Sequence, residues 1–109
     1  MREAVVEQHL ARAVRSQGGL TAKHVSPGRA GDPDRLVVIP RPSCPTCGSQ
    51  CVAGLMELKA PGERPRPLQA ARLQEWAALG LPADWADTPQ RVDEVLASWL
   101  IDQSRVAGR

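Results

Sequence analysis

Residues 52–60 read VAGLMELKA and are followed at once by Pro61-Gly62. Side chains alternate along a strand, so Leu55, Glu57 and Lys59 share one face while Met56, Leu58 and Ala60 share the other. The second set is apolar throughout and belongs in a core. The first set carries a carboxylate and an ammonium two residues apart, among hydrophobic neighbours where burying either charge alone is costly. Something must occupy that polar face, and Pro61-Gly62 ends the strand. The stretch therefore predicts a central strand of an α/β sheet with something polar gathered on one of its faces.

Working outward, Arg35 to Ile39 is a second strand, nearly continuous in Leu, Val and Ile. The intervening Pro40 to Gln50, rich in Pro, Cys and Ser, is a loop insert between neighbouring strands. Leu20 to Val25, closed by Ser26-Pro27-Gly28, fits an earlier strand. Before it, Val6, Leu10, Ala13 and Val14 recur at helical spacing between Arg2 and Gln17, and Gly18-Gly19 stops that helix. Downstream, Pro67 suits the first turn of a helix running to Gly80, and Ala83 to Ala86 is a short strand. Thr88 then reads as an N-cap ahead of Pro89, opening a last helix with a stripe of Val92, Val95, Leu96 and Trp99. The expected order is α-β-β-β-α-β-α, a single domain over 1–109 with a central mixed sheet flanked by helices.

Composition narrows the function classes. A formal charge of +2 lacks the heavy excess of a purely electrostatic DNA binder. Three Trp with no Phe or Tyr argue against base stacking as the main mode of nucleic-acid contact. No apolar run approaches membrane-spanning length and the start is unlike a signal peptide, so a cytoplasmic protein with no membrane partner is expected.

Gly31-Asp32-Pro33-Asp34 stands just before the second strand, where Pro33 suits a strand entrance. If the second and third strands pair, Asp34 reaches Glu57 across a spacing of roughly 5 Å. Two converging carboxylates suit a hard cation such as Mg2+ or Mn2+. With Lys59 beside them to orient a water and stabilise developing charge, the parts serve metal-assisted phosphodiester hydrolysis. The bland alternative is a surface salt bridge between Glu57 and Lys59. Two more polar residues lie on otherwise apolar helical stripes: Glu7 with Leu10 and Val14, and Gln69 with Leu73 and Trp76. Both are expected to face the sheet, as site residues or as satisfied structural groups. Lys23, Arg29, Arg35, Arg64, Arg66 and Arg72 lie in segments that should rim such a site for phosphate contact, though each is also an ordinary solvated charge.

The succession Glu7, Ser26 to Arg35, Met56 to Gly62 and Pro67-Leu68-Gln69 resembles the virus-type replication-repair nuclease (VRR-NUC) family, within the PD-(D/E)xK superfamily with its restriction-endonuclease-like core. The likeness covers nearly the whole chain, and the pattern G-x-P-D, E-x-K and a downstream Q is complete. The resemblance implies a metal-dependent DNA endonuclease acting on branched, flap or Holliday-junction DNA in phage replication or repair, inside a bacterial host, as a homodimer. It implies Asp34 and Glu57 as metal ligands with the Leu58 carbonyl, Lys59 serving the nucleophilic water, Gln69 supporting the site, and Glu7 as the acidic residue of the first helix. Glu3, one turn earlier, competes with Glu7 for that role.

The departure is the insert, where Cys44, Cys47 and Cys51 resemble half of a zinc ribbon. A structural Zn2+ wants four protein ligands, so His9, His24 or a cysteine from a second subunit would have to complete it; otherwise this is a loop with reduced cysteines. A different class of function, a non-catalytic DNA-binding adaptor built on a zinc-knuckle-like loop, is the alternative expectation.

Overall fold

The computed structural model describes residues 2–41 and 51–107. Its elements follow in the order α1 (Glu3–Ser16), β1 (Leu20–Lys23), β2 (Arg35–Pro40), β3 (Cys51–Leu58), α2 (Pro67–Ala78), β4 (Ala83–Ala86) and α3 (Pro89–Ala107). The four strands form one sheet in the order β1-β2-β3-β4. β1 and β2 pair antiparallel, as do β2 and β3, while β3 and β4 run parallel. The sheet is thus mixed, as the sequence implies.

β3 lies inside because both of its faces are apolar. Val52, Met56 and Leu58 join Val37, Ile39 and Ala86 in a core closed by Val6, Leu10 and Val14 of α1 and by Val92, Val95, Leu96 and Trp99 of α3. Each such aliphatic side chain stabilises by about 1.5–3 kcal/mol when taken from water. Gly54 belongs to this packing: a Cβ there would stand 2.8 Å from the Trp99 ring and 2.9 Å from the Pro82 carbonyl oxygen, so the indole lies directly on the strand backbone. Alternation sends Leu55 and Glu57 to the opposite face, which α2 covers, with Leu73 its buried residue. Thr88 caps α3 as expected, its Oγ1 accepting the Arg91 N–H at 3.1 Å.

The elements differ from expectation mainly at their ends. β1 stops at Lys23 rather than Val25, which is 68% exposed, because after the His24 N–H reaches the Asp34 carbonyl at 2.9 Å the chain turns away from β2. β3 ends at Leu58 rather than Ala60, although the Lys59 N–H still bonds the Ala86 carbonyl at 2.9 Å. α2 ends at Ala78, before Gly80, whose φ of 97° lies outside any helix.

Candidate active site

The loop between β1 and β2 is shaped by two glycines and fastened by one aspartate. Gly28 and Gly31 have φ of 79° and 85°, open to glycine at little cost. At Gly31 a Cβ would also stand 2.8 Å from Leu68 Cγ, so only glycine lets the loop lie against the first turn of α2. Asp32 then ties the loop down. Its carboxylate accepts from Arg29 Nε at 3.0 Å and from the Trp76 indole N–H at 3.2 Å, and Arg29 continues to Glu75 of α2. Burial raises the Asp32 pKa, but hydrogen bonds from Ser26, Arg29 and Trp76 outweigh it and leave the carboxyl below its ordinary range. Pro33, fully buried, leads into β2.

Asp34 follows immediately and has no such set of donors. Arg35 pairs with Met56 in the β2–β3 ladder, which brings Asp34 beside the end of β3, where its Oδ1 accepts a long 3.4 Å bond from the Leu58 N–H. Glu57 projects next to it, 6% exposed. Lys59 Nζ stands 3.5 Å from Glu57 Oε2, and Gln69 Nε2 donates to the same oxygen at 3.2 Å. The orientation of Gln69 has a local cause. As the third residue of α2, its Oε1 accepts the otherwise unpaired Arg66 N–H at 2.9 Å, so the amide can only turn its NH2 toward Glu57. A cleft of about 400 Å³ opens over these groups, walled by Gly31, Leu68 and Arg66.

The electrostatics follow from this geometry. Burial first, then the charge of Asp34, raise Glu57 to a pKa of about 7, against the pull of Lys59. Asp34 is raised too, chiefly by burial, with Glu7 adding to the effect and the Leu58 N–H opposing it. Two carboxyl groups with raised pKa share one cleft, with Lys59 ion-paired to Glu57, a combination that marks candidate reactive sites.

The other expected residues are distributed unevenly. Glu7 does not face the sheet. α1 buries Val6, Leu10 and Val14, and Glu7 sits on the flank of that stripe, its side chain 48% exposed and ion-paired with Arg35 at 2.6 Å. Neither Glu7 nor Glu3 hydrogen-bonds Asp34 or Glu57; the negative charge of Glu7 raises Asp34 and that of Glu3 raises Glu57. Arg29 and Arg72 do not rim the cleft as free cations, because both are engaged by Glu75 and Arg72 also donates to the Ala30 carbonyl. Arg66 does line it. His9 bonds Asp93 and His24 bonds Ser26, both at 2.8 Å. Cys44 and Cys47 lie outside the described residues, and Cys51 is exposed. Among the described residues no group of three or more His, Cys, Asp or Glu gathers as a metal cluster. The Asp32–Arg29–Trp76 tie escaped the sequence reading; nothing in the spacing of residues 32 and 76 joins them, and only the doubled aspartate of Gly31-Asp32-Pro33-Asp34 hints at two roles.

A protein of Acyrthosiphon pisum secondary endosymbiont phage 1, named "Putative nuclease p44", is 42% identical over 80 residues, which span 73% of this chain and 76% of the phage protein. A solved structure of a VRR_NUC domain superposes with a TM-score of 0.70, covering 87% of this chain and 94% of its own. The chain belongs to the VRR-NUC family. At 24% identity that superposition establishes the VRR-NUC architecture, the mixed four-stranded sheet with its three helices. No protein-family model matches the chain. No helix among the described residues is long and apolar enough to cross a membrane.

Proposed function

We propose that this VRR-NUC chain is a single nuclease domain that hydrolyses DNA phosphodiester bonds with a divalent cation, Mg2+ or Mn2+, at Asp34 and Glu57. The observation that carries the reading is that Asp34, Glu57 and Gln69 line one cleft, with Lys59 ion-paired to Glu57. The donor set fits a hard cation: two carboxylates, both held above their ordinary pKa by burial, would be relieved by an added positive charge. The contacts of Lys59 and Gln69 both fall on Glu57 Oε2, which leaves Oε1 as the oxygen to offer a cation. The Leu58 carbonyl is the proposed third ligand.

A divalent cation bound there supplies Lewis-acid polarisation of the phosphate and a lowered pKa for an attacking water. The remaining work falls to the chain. Lys59 orients the water and balances the charge that develops as the phosphorane-like transition state forms. Gln69, fixed by its cap, holds Glu57 in the rotamer that faces Asp34. The Asp32 tie and Gly31 hold the β1–β2 loop against α2 and so set the position of Asp34. Glu7 acts from the periphery, through its pair with Arg35.

A branched substrate, such as a flap or four-way junction, during phage replication or repair in a bacterial cytoplasm, is supported by the family and by the phage origin of the relative. A twofold homodimer would meet the two equivalent cuts of a symmetric junction. A structural Zn2+ at Cys44, Cys47 and Cys51 would need a fourth ligand; His9 and His24 each use Nε2 for Asp93 and Ser26, so either would have to ligate through Nδ1. The test is cleavage of flap, splayed-arm and four-way substrates with Mg2+, Mn2+ and EDTA, beside Lys59→Ala. Metal-dependent cutting that Lys59→Ala removes is expected; binding without cutting under every metal would instead favour a DNA-binding adaptor.

A further inference from the structure

Trp85 stands one strand away from Glu57. The two are register partners in the parallel β3–β4 pair. Because their neighbours Leu58 and Ala86 both belong to the core under α1 and α3, Glu57 and Trp85 both project to the α2 side, about 5 Å apart at the backbone. Beside Trp85 a second cavity of about 400 Å³ opens between α2 and β4, walled by Leu73, Gln74, Ala83, Arg64 and Pro65. That volume lies within the range of small-ligand pockets. The guanidinium groups of Arg64 and Arg91 each lie 5.9 Å from the Trp85 ring. Arg91 is keyed in place by Asp84 and the Trp85 carbonyl, whereas Arg64 is exposed. The segment Arg64-Pro65-Arg66 forms the wall between the two cavities, with Arg64 on this side and Arg66 on the carboxylate side.

An indole flanked by guanidinium groups stacks any base and draws the adjoining phosphate, and it needs no sequence readout. A base already paired in a duplex is stacked above and below and cannot enter. We propose that this second cavity is a nucleotide subsite, taking one unpaired base of the DNA substrate onto Trp85 while Arg64 meets its phosphate, next to the phosphodiester held at Asp34 and Glu57. The inference rests on the nuclease reading and deepens it: the substrate carries an unpaired nucleotide beside the cut, as a flap or splayed arm does and a continuous duplex does not. Gln74 offers a donor and an acceptor to the base edge.

The experiment uses the full chain with Ca2+ in place of Mg2+ to hold turnover, and a flapped duplex carrying 2-aminopurine at the first unpaired position. In the wild type, binding should quench the 2-aminopurine. Trp85→Ala should abolish the quench and weaken flap binding roughly fivefold to a hundredfold, the range for one stacked base, with little change on a fully paired duplex of equal length. Trp85→Phe should restore most of the affinity. If Trp85→Ala does not fold, the exposed Arg64→Glu decides, and it should lower the ratio of flap to duplex binding. An unchanged ratio in the folded variants overturns the subsite. Cleavage of paired plasmid in Mg2+ separates the two readings. Wild-type protein that cuts neither plasmid nor flap overturns the nuclease reading and leaves the binding result standing, whereas metal-dependent cutting that Lys59→Ala removes, with the flap-to-duplex binding ratio unchanged in Trp85→Ala and Arg64→Glu, overturns the subsite alone.

Discussion

Asp32 and Glu57 are buried to the same degree, with side chains 4% and 7% exposed, yet their acidities move in opposite directions. Asp32 receives an arginine, an indole N–H and a serine, and its charge is held. Glu57 receives one amide and one ammonium, faces a second carboxylate, and is pushed up to about 7. Burial opposes the charge of both; at Asp32 the donors outweigh it, whereas at Glu57 burial and the neighbouring carboxylate prevail, which separates a fastening from the carboxylate proposed to take a cation. A single residue, Pro33, separates Asp32 from Asp34, so the fastening and the proposed ligand are neighbours in the chain.

The sharpest way to test the division is Lys59→Ala. Lys59 contributes little to the core, so the thermal midpoint should hardly move, while cleavage should fall a hundredfold or more, the usual cost of a charge-stabilising group. A variant with wild-type turnover would break the comparison at its centre.

Conservative amides should separate the two aspartates next. Asp32→Asn loses the charge that Arg29 and Trp76 are built around and should cost about 1–3 kcal/mol, read as a drop of several degrees in melting temperature. Asp34→Asn and Glu57→Gln should keep or raise the stability of the protein in EDTA and weaken Mn2+ binding by calorimetry, since an amide oxygen lacks the charge that holds a hard cation. Equal destabilisation by all three would erase the distinction.

The pH dependence in EDTA should carry both signs. Between the ordinary glutamate value of 4.5 and about 7 the folded protein keeps a proton on Glu57 that the unfolded chain has released, so stability falls as pH rises through that window. Asp32 works the other way: its contribution is present above the ordinary aspartate value and is lost as pH falls through its lowered one. Denaturant melts over a pH series should show the upper slope flattened by Glu57→Gln and the acid slope flattened by Asp32→Asn.

The smallest expected effect belongs to Gln69. Gln69→Glu keeps the acceptor for the Arg66 N–H but removes the donor to Glu57, so α2 should stay folded by circular dichroism while cleavage drops several-fold, in line with one hydrogen bond. A loss as deep as that of Lys59→Ala would give Gln69 a larger part than orientation.

Much of this was legible in the chain. Runs such as residues 52–58 and 35–39 announce strands, and β4 occupies Ala83–Ala86 as read, but β2 is not covered on both faces: Val37 and Ile39 are buried while Leu36 is 38% exposed. Glu57 and Lys59 declare themselves because polar residues two apart must share a strand face. The first helix was harder. Val6, Leu10, Val14 and Glu7, Leu10, Val14 are both plausible helical stripes, and the tertiary packing chose the first, leaving Glu7 to Arg35. The partners of Arg29 and Arg72 were invisible for a related reason: a lone basic residue reads as solvated charge until Glu75 is brought to it by the fold.

The β2–β3 hairpin separates two tasks by distance. Its open end carries the carboxylates beside Arg35 and Met56, and its closed end, where Pro40 pairs with Cys51, lies five residue pairs away, at roughly 3.4 Å per residue. The ladder between them is held by Val37, Ile39 and Val52, all buried in the core. For an engineer this makes residues 42–50 the natural place to graft a fluorophore site, an affinity tag or a tether to a second module. Loop-closure entropy grows only slowly with length, so the end of the hairpin that carries Asp34 and Glu57 is expected to keep its register.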